Sequence, residues 1–222
     1  MRIDNDCDLV GKDAPAGKFD VTGIGSQNDN ISPFVDGYQI WPRYTADIYP
    51  YVPQGKYYNK LDIGKVRTVK SNGELDSLKV RCELKGIVYG IDYDGGPGLQ
   101  FTIRDQTGGI TVFHNQKGFN YKVTEGDEVT VQGTVDQFMG QAEIIPDTII
   151  LLSEKNAIRS ARIVTKLDES TESDLIRLQN VNIVDLTDWI GNGTTFNVRV
   201  TDGTREFLVR IDNDCALSKI SA

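Results

Sequence analysis

The sequence predicts an all-β protein made of small five-stranded barrels. Three observations predict it. Short segments alternate apolar and polar residues, as "LQFTIRD" does at 99–105, and that period of two belongs to half-buried strands. Glycine is plentiful, 22 in 222 residues, in turns and in the middle of apolar runs, where a barrel strand must coil or bulge. And the phrase "RIDNDC" occurs twice, at 2–7 and at 210–215, the mark of an internal repeat.

The fullest run of strands lies between Leu78 and Leu152. "LKVRCELKGIVYGIDY" (78–93) reads as a long bent first strand with Gly86 and Gly90 inside it. "DGGPG" (94–98) is a turn. "LQFTIRD" and "ITVFHN" are joined by "QTGG" and read as a hairpin over 99–114. A loop with Phe119 and Tyr121 follows. "EGDEVTVQGTVDQF" (125–138) is a fourth strand with Gly133 at its middle, and "AEIIPDTIILL" (142–152) a fifth, bent at Pro146. Five strands, the first long and kinked, describe an OB-fold-like barrel. No periodic segment offers the helix that usually follows strand three.

A second unit begins near Ser173. "LIRLQNVNIVDLTDWIGNGTTFNVRVTDGTREFLVRIDNDC" (175–215) repeats the long strand and the hairpin, with Gly86 aligned to Val181, Phe101 to Phe196, Arg104 to Arg199 and Gly108 to Gly203. Its fourth and fifth strands have their counterparts at the front. "GKFDVTGIGSQ" (17–27) has the pattern of the fourth strand, and "GYQIWPRYTADI" (37–48) that of the fifth, with Pro42 in the place of Pro146. The expected organisation is therefore one complete OB-fold-like barrel and one split between the chain termini. Residues 1–48 form the C-terminal half of a barrel, 49–77 a linker, 78–152 the complete barrel, 153–172 a polar connector, and 173–222 the N-terminal half of a second barrel. Pro50, Pro53 and Gly55 make the first part of the linker, and "DIGKVRTV" (62–69) adds a short strand. From Arg2 to Arg210 the repeat is 208 residues.

Composition narrows the function classes. The net charge is −8, and the 24 lysines and arginines scatter. Binding to phosphates needs clustered cations that release counterions, so the charge argues against nucleic acid and for solubility. No apolar run approaches the ~18 residues of a membrane span. Met1 is followed by charged and polar residues, not by a leader's apolar segment. Of three cysteines, Cys7 and Cys215 are one position in the two copies, and no C-x-x-C pair exists. Zinc and dithiol chemistry are thereby disfavoured, and free, packed thiols are expected ahead of a disulfide.

"ELKGIVYGIDYDGGPGLQFTIRDQTGGITVF", "VTEGDEVTVQGTVDQFMG", "LDESTESDLIRLQNV" and "GYQIWPRYTADI" together resemble the paired OB-fold modules of large secreted bacterial proteins. The resemblance covers nearly the whole chain. It implies an exported, modular context, extracellular or at the cell surface, in proteins that often carry adhesive, lamin-tail-like or nuclease domains. It implies no particular activity beyond a nucleic-acid-binding-like label. In that family the second barrel is contiguous through "PRYTADI"; here it comes in two pieces.

The candidate sites follow. An OB barrel binds ligands on the face of strands two and three, which nominates Tyr89, Tyr93, Phe101, Arg104, Phe113 and His114. Aromatics beside an arginine can stack bases, while alternation makes Phe101 and Phe113 core residues instead. His114 is the only histidine, and without a partnered nucleophile it builds no triad. Asp4 and Asp6, Asp212 and Asp214, and Asp92 and Asp94 offer oxygens that Ca²⁺ could take, although none has the spacing of an EF-hand loop and short acidic turns are usually solvated. No other cofactor is implied. "LDESTESDLI" reads as a helix start with carboxylates in its first turn. The first functional expectation is a non-enzymatic structural or adhesive repeat whose partner is itself. Copies join head to tail as one chain's N-terminal half-barrel completes the next chain's C-terminal half, so that Arg2, Ile3, Cys7, Arg210, Ile211 and Cys215 mark the joint. The second is a binding module for single-stranded nucleic acid or glycan, accessory to a secreted nuclease.

Overall fold

The computed structural model describes residues 1–52 and 57–221; Pro53 and Gly55 of the expected linker lie outside them. Met1–Tyr57 and Tyr58–Ala222 are two compact units. Sheet and loop dominate both, and the chain is all-β apart from single turns of helix. Among the described residues no helix is long and apolar enough to cross a membrane.

In the first unit, β1 (Asp20–Val21) pairs antiparallel with β4 (Ile48–Tyr49), and β2 (Ile24–Gln27) with β3 (Tyr38–Trp41). Gly23 sits between the end of β1 and the start of β2. A Cβ there would overlap the carbonyl of Trp41, just before Pro42, so only glycine lets the strands approach. Past Pro42 the chain leaves the β2–β3 ladder for a 3₁₀ turn, Thr45–Asp47, and enters the β1–β4 ladder at Ile48. The Asp47 carboxylate fixes that turn, accepting hydrogen bonds from the Arg43 backbone N–H (2.7 Å), its Nε (3.0 Å) and its Nη2 (2.9 Å). A small core of Cys7, Leu9 and Ile48 packs against Phe19, Val21 and Tyr51.

The second unit opens with β5 (Asn59–Lys60) and α1 (Ile63–Val66). A strand is expected over 62–69, and one turn of helix stands there instead. The cause lies elsewhere in the chain: the Asp105 carboxylate accepts from the Ile63 N–H at 2.8 Å, and Thr107 Oγ1 accepts from Gly64 N–H at 2.7 Å. These satisfy donors that a helix start leaves orphaned, and Ile63 and Val66 are fully buried. The second half of the expected linker is thus part of this unit's core.

Five longer strands follow: β6 (Arg81–Tyr89), β7 (Leu99–Arg104), β8 (Gly109–His114), β9 (Glu128–Phe138) and β10 (Gln141–Ser153). They pair in the order β6-β7-β8-β10-β9, and β9 returns to β6, while β5 adds in parallel to the outer start of β6. β8 and β10 run parallel and the other pairs of the closed circuit antiparallel. The interior is Leu84, Val88, Leu99, Phe101, Ile103, Ile110, Val112, Val129, Val131 and Ile144, with Leu75 and α1 closing one end. At Gly133 a Cβ would overlap the carbonyl of Ile145, just before Pro146, and a register shift follows at Pro146/Thr148. Gly23 with Trp41-Pro42 repeats this arrangement in the first unit.

Beyond Ser153 come β11 (Arg162–Ile163), paired in parallel with β12 (Ile176–Arg177), then β13 (Asn182–Ile183), β14 (Phe196–Thr201) and β15 (Glu206–Ile211), which form a three-stranded antiparallel sheet. The long strand expected at the start of 175–215 is therefore two short pieces. Asn180, at φ +54°, breaks it, since a left-handed residue does not continue a strand. Phe196, Val198, Val200, Phe207 and Ile211 bury one face against Leu178, Ile183 and Trp189. Ile87 faces Arg104 as Asn182 faces Thr201, which agrees with aligning Gly86 to Val181. The hairpin itself is shifted by two residues from the expected alignment, because Arg104 matches Thr201 rather than Arg199. Asp105 and Asp202 set that register by capping the same turn. Each side chain accepts two backbone N–H groups, of Thr107 and Gly108 in one turn and of Thr204 and Arg205 in the other.

Candidate functional site

The outer face of β7 and β8 is built from Gln100, Thr102 and Arg104 opposite Phe113, Thr111 and Gly109. The two strands alternate, so Phe101 points the other way and is wholly buried, its ring 5.8 Å from that of Tyr121. Phe101 is a core residue and leaves the ligand set. His114 is half-buried at the strand end. Its Nδ1 accepts from the Gln116 and Lys117 N–H groups (3.1 and 3.2 Å), and its ring meets Phe119 edge-on at 5.5 Å. That places the neutral ring's proton on Nε2, in a turn-holding role. Phe113 is half-buried on the outer face.

Tyr89 is shared by two recesses, with Tyr93 lining one and Arg104 the other. With Gly90, Thr102, Glu125, Ser173, Asp174 and Leu175, Tyr89 and Tyr93 line a recess of about 170 Å³, and Arg104 borders the face beside it. Tyr89 is buried, and its Oη accepts from the Arg159 N–H at 2.8 Å. Tyr93 is 41% exposed; burial raises its phenol, with Cys215, Asp212 and Glu125 adding to the effect.

Arg104 is not free. Its Nε donates to Asp174 Oδ1 at 2.7 Å, with the two side chains only 15% and 13% exposed, and its Nη1 donates to the Asp105 carbonyl at 2.9 Å. Asp174 also accepts from Arg162 Nε at 3.1 Å. Burial pushes the Asp174 carboxyl up, but the hydrogen bonds from Arg104 and Arg162 together outweigh it, and the group lies below its ordinary value. Glu172 beside it accepts from the Ala142 N–H at 3.1 Å and stands 3.7 Å from Arg67; burial dominates there and raises its carboxyl. The expected helix start at 167–176 is a run of turns ending in β12. Its carboxylates do not cap a helix; they hold arginines and a strand amide of the β6–β10 circuit. Nothing in the local sequence marks Glu172 and Asp174 for this, because their partners lie 105 and 70 residues away (Arg67, Arg104).

The aspartate turns have a local explanation. In the first "RIDNDC", Asp6 N–H donates to Asp4 Oδ1 at 3.2 Å and Cys7 N–H to the Asp4 carbonyl at 3.0 Å. In the second, Asp214 N–H donates to Asp212 Oδ1 at 3.1 Å and Cys215 N–H to the Asp212 carbonyl at 3.0 Å. One sequence makes one turn twice, the side chain of its first aspartate serving as the backbone's acceptor. Asp92 likewise accepts from the Asp94 and Gln100 N–H groups (3.1 and 2.8 Å), and Asp94 from Gly98 N–H at 3.1 Å. The carboxylate of Asp214 lies against Gly95. Burial raises it, and Asp212, Asp92 and Asp94 push it further. Among the described residues no group of three or more His, Cys, Asp or Glu is arranged to hold a metal ion.

At the proposed joint, Arg2 N–H donates to the Ile40 carbonyl of β3 at 3.0 Å, and its guanidinium lies 5.1 Å from the Trp41 ring centre. Ile3 is exposed, and Cys7 enters the small core. In the other copy Ile211 is buried in the second sheet, Arg210 is exposed and Cys215 half-buried. All three cysteines are free thiols.

No protein-family model matches the sequence, and neither does any curated protein. Among solved structures, the chain is similar to the hypothetical protein ygiW from E. coli, at 20% identity and a TM-score of 0.33 over 43% of this chain and 98% of that one. It is also similar to the S. pombe Stn1-ten1 complex, at 19% identity and a TM-score of 0.36 over 44% and 80% of the two chains. A putative aspartyl-tRNA synthetase from Leishmania major Friedlin matches at 12% identity and a TM-score of 0.35, over 49% of this chain and 23% of that one.

Proposed function

We propose that the chain is a non-enzymatic structural module of an exported protein, which associates with copies of itself head to tail by completing split barrels. The β6–β10 circuit supports an OB-like barrel, since five strands closing through one parallel pair suit that architecture. β13–β15 repeat its first three strands, and β1–β4 its last two, down to the glycine opposite the residue before proline. The bond from Arg2 N–H to Ile40 carries the proposal. It joins the end of "strand three" to "strand five", the pair that β8 and β10 form through Val112 and Ile144. In another copy β15 ends in the same residues, Arg210 and Ile211, and would take the same carbonyl by displacing Arg2 from it.

Sedimentation across a hundredfold concentration range, chosen to span about 3 kcal/mol of association free energy, tests it. The expected result is a weight-average mass that rises with concentration and is cut back by Arg210→Pro, which removes the outward N–H of β15 that corresponds to that of Arg2. A strict monomer throughout refutes it. The alternative, a binding module for single-stranded nucleic acid or glycan, draws on Tyr93 and Arg104, which line adjoining recesses that share Tyr89. It requires salt-sensitive oligonucleotide binding that Tyr93→Ala or Arg104→Ala weakens.

A further inference from the structure

In an OB-like barrel the second and third strands offer the ligand face, and here that face is covered by the chain's own connector. Ser173, held at φ +51°, lays its carbonyl on Gly109, so close that no side chain fits between. Asp174 occupies Arg104, Glu172 occupies the Ala142 amide beside Arg67, and the Glu169 carbonyl accepts from Arg67 Nη2 at 3.1 Å. At the other end, the Arg159 amide closes on Tyr89. Gly109 and Thr111 are buried although they point away from the core. Carboxylates here stand where a ligand's phosphates would meet the arginines, since a guanidinium takes either anion.

We infer that the segment 157–175 is a built-in occupant of the β7–β8 face, a largely irregular connector bound in cis whose Glu172 and Asp174 exclude polyanions from Arg104. The inference rests on the OB-like reading of the β6–β10 circuit. It accounts for an apparently equipped face in an acidic chain: the face is a joint that fastens the following sheet, not an open site.

The test uses the full chain and a fluorescent oligothymidylate of about 15 nucleotides, near the upper site size of one such barrel. At about 20 mM salt, where phosphate contacts are least screened, the Glu172→Gln/Asp174→Asn variant should bind at least tenfold more tightly than the wild type. Adding Arg104→Ala should remove the gain. Equal binding by wild type and double variant, or none by either, overturns the inference. Hydrogen exchange keeps the result readable. In the variant the Ala142 and Arg159 amides should exchange faster while those of Leu84 and Val131, within the β6–β9 ladder, stay protected. Loss of protection in that ladder would instead mark failure of the barrel reading. The wild type then decides alone: excess oligothymidylate must speed exchange at Ala142 and Arg159, and unchanged exchange there overturns the inference.

Discussion

Gly133→Ala would test the close approach that bends β10. The added methyl overlaps the Ile145 carbonyl oxygen and comes within 2.9 Å of both that carbonyl carbon and Pro146 Cα. Ordinary contact begins at 3.4 Å, so the Ile145 carbonyl must withdraw by more than an ångström, carrying a stretch of β10 backbone with it. Overpacking of this kind costs about 1–3 kcal/mol, and a weakened ladder hydrogen bond adds about 1 kcal/mol. Stiffening of the unfolded chain returns about 0.4–1 kcal/mol. The net expectation is a loss of about 2 kcal/mol, or roughly 5 °C in Tm for a unit of this size. Urea unfolding followed by far-UV circular dichroism measures it. Gly25→Ala serves as the control, because a Cβ at Gly25 meets nothing within 4 Å; it should lie within about 0.5 kcal/mol of wild type or be more stable. If Gly133→Ala also falls within that band, the steric account of the bend is wrong. Gly23→Ala should destabilise the first unit through the same overlap with Trp41.

Phe101→Ala should cost about 3–5 kcal/mol as a core truncation, whereas Tyr93→Ala should change stability by less than about 0.5 kcal/mol; chemical denaturation of both separates core from surface aromatics. Burial pushes the Cys82 thiol up to about 11, so in the folded protein Ellman's reagent should modify Cys82 at least 100-fold more slowly than in urea, thiolate being the reactive form. Asp47 is held well below the ordinary carboxylate range, chiefly by the Arg43 side-chain hydrogen bond and next by the Arg43 amide. A depressed folded-state value means that its contribution is present above the unfolded value and lost as pH falls through the folded one. Acid titration of Trp41 fluorescence should therefore show the first unit weakening below about pH 4, and Asp47→Asn should flatten that limb.

What the sequence made legible is local. The β7–β8 and β14–β15 hairpins follow from alternation and from turns that an aspartate caps, and both copies of "RIDNDC" fold alike because Asp4 and Asp212 close the same turn on their own backbone. The glycine–proline bend was visible as a pattern in both places. What was hidden depends on residues far along the chain. α1 exists because Asp105 and Thr107 reach back some 40 residues to its amides. The connector's role is set by Arg104 and Arg67, which no window around "LDESTESD" contains. The shift of the second hairpin came from aligning glycines, when the capping aspartates, Asp105 and Asp202, carry the register.

Closure of the β6–β10 circuit has a consequence for assembly. A ladder that returns to its first strand has spent its hydrogen-bonding valence, apart from the short stretch where β5 is added. The open ladders at β2–β3 and β13–β15 have not. Under the proposed head-to-tail association, one saturated module with two unsaturated ends that differ from each other would make the chain a bifunctional monomer of the A–B type. Such a monomer grows by steps into unbranched chains, whose mean length is set by concentration and by the purity of the ends. A small amount of a copy defective at one end, such as Arg210→Pro, would therefore act as a chain stopper, shortening the whole population out of proportion to its abundance.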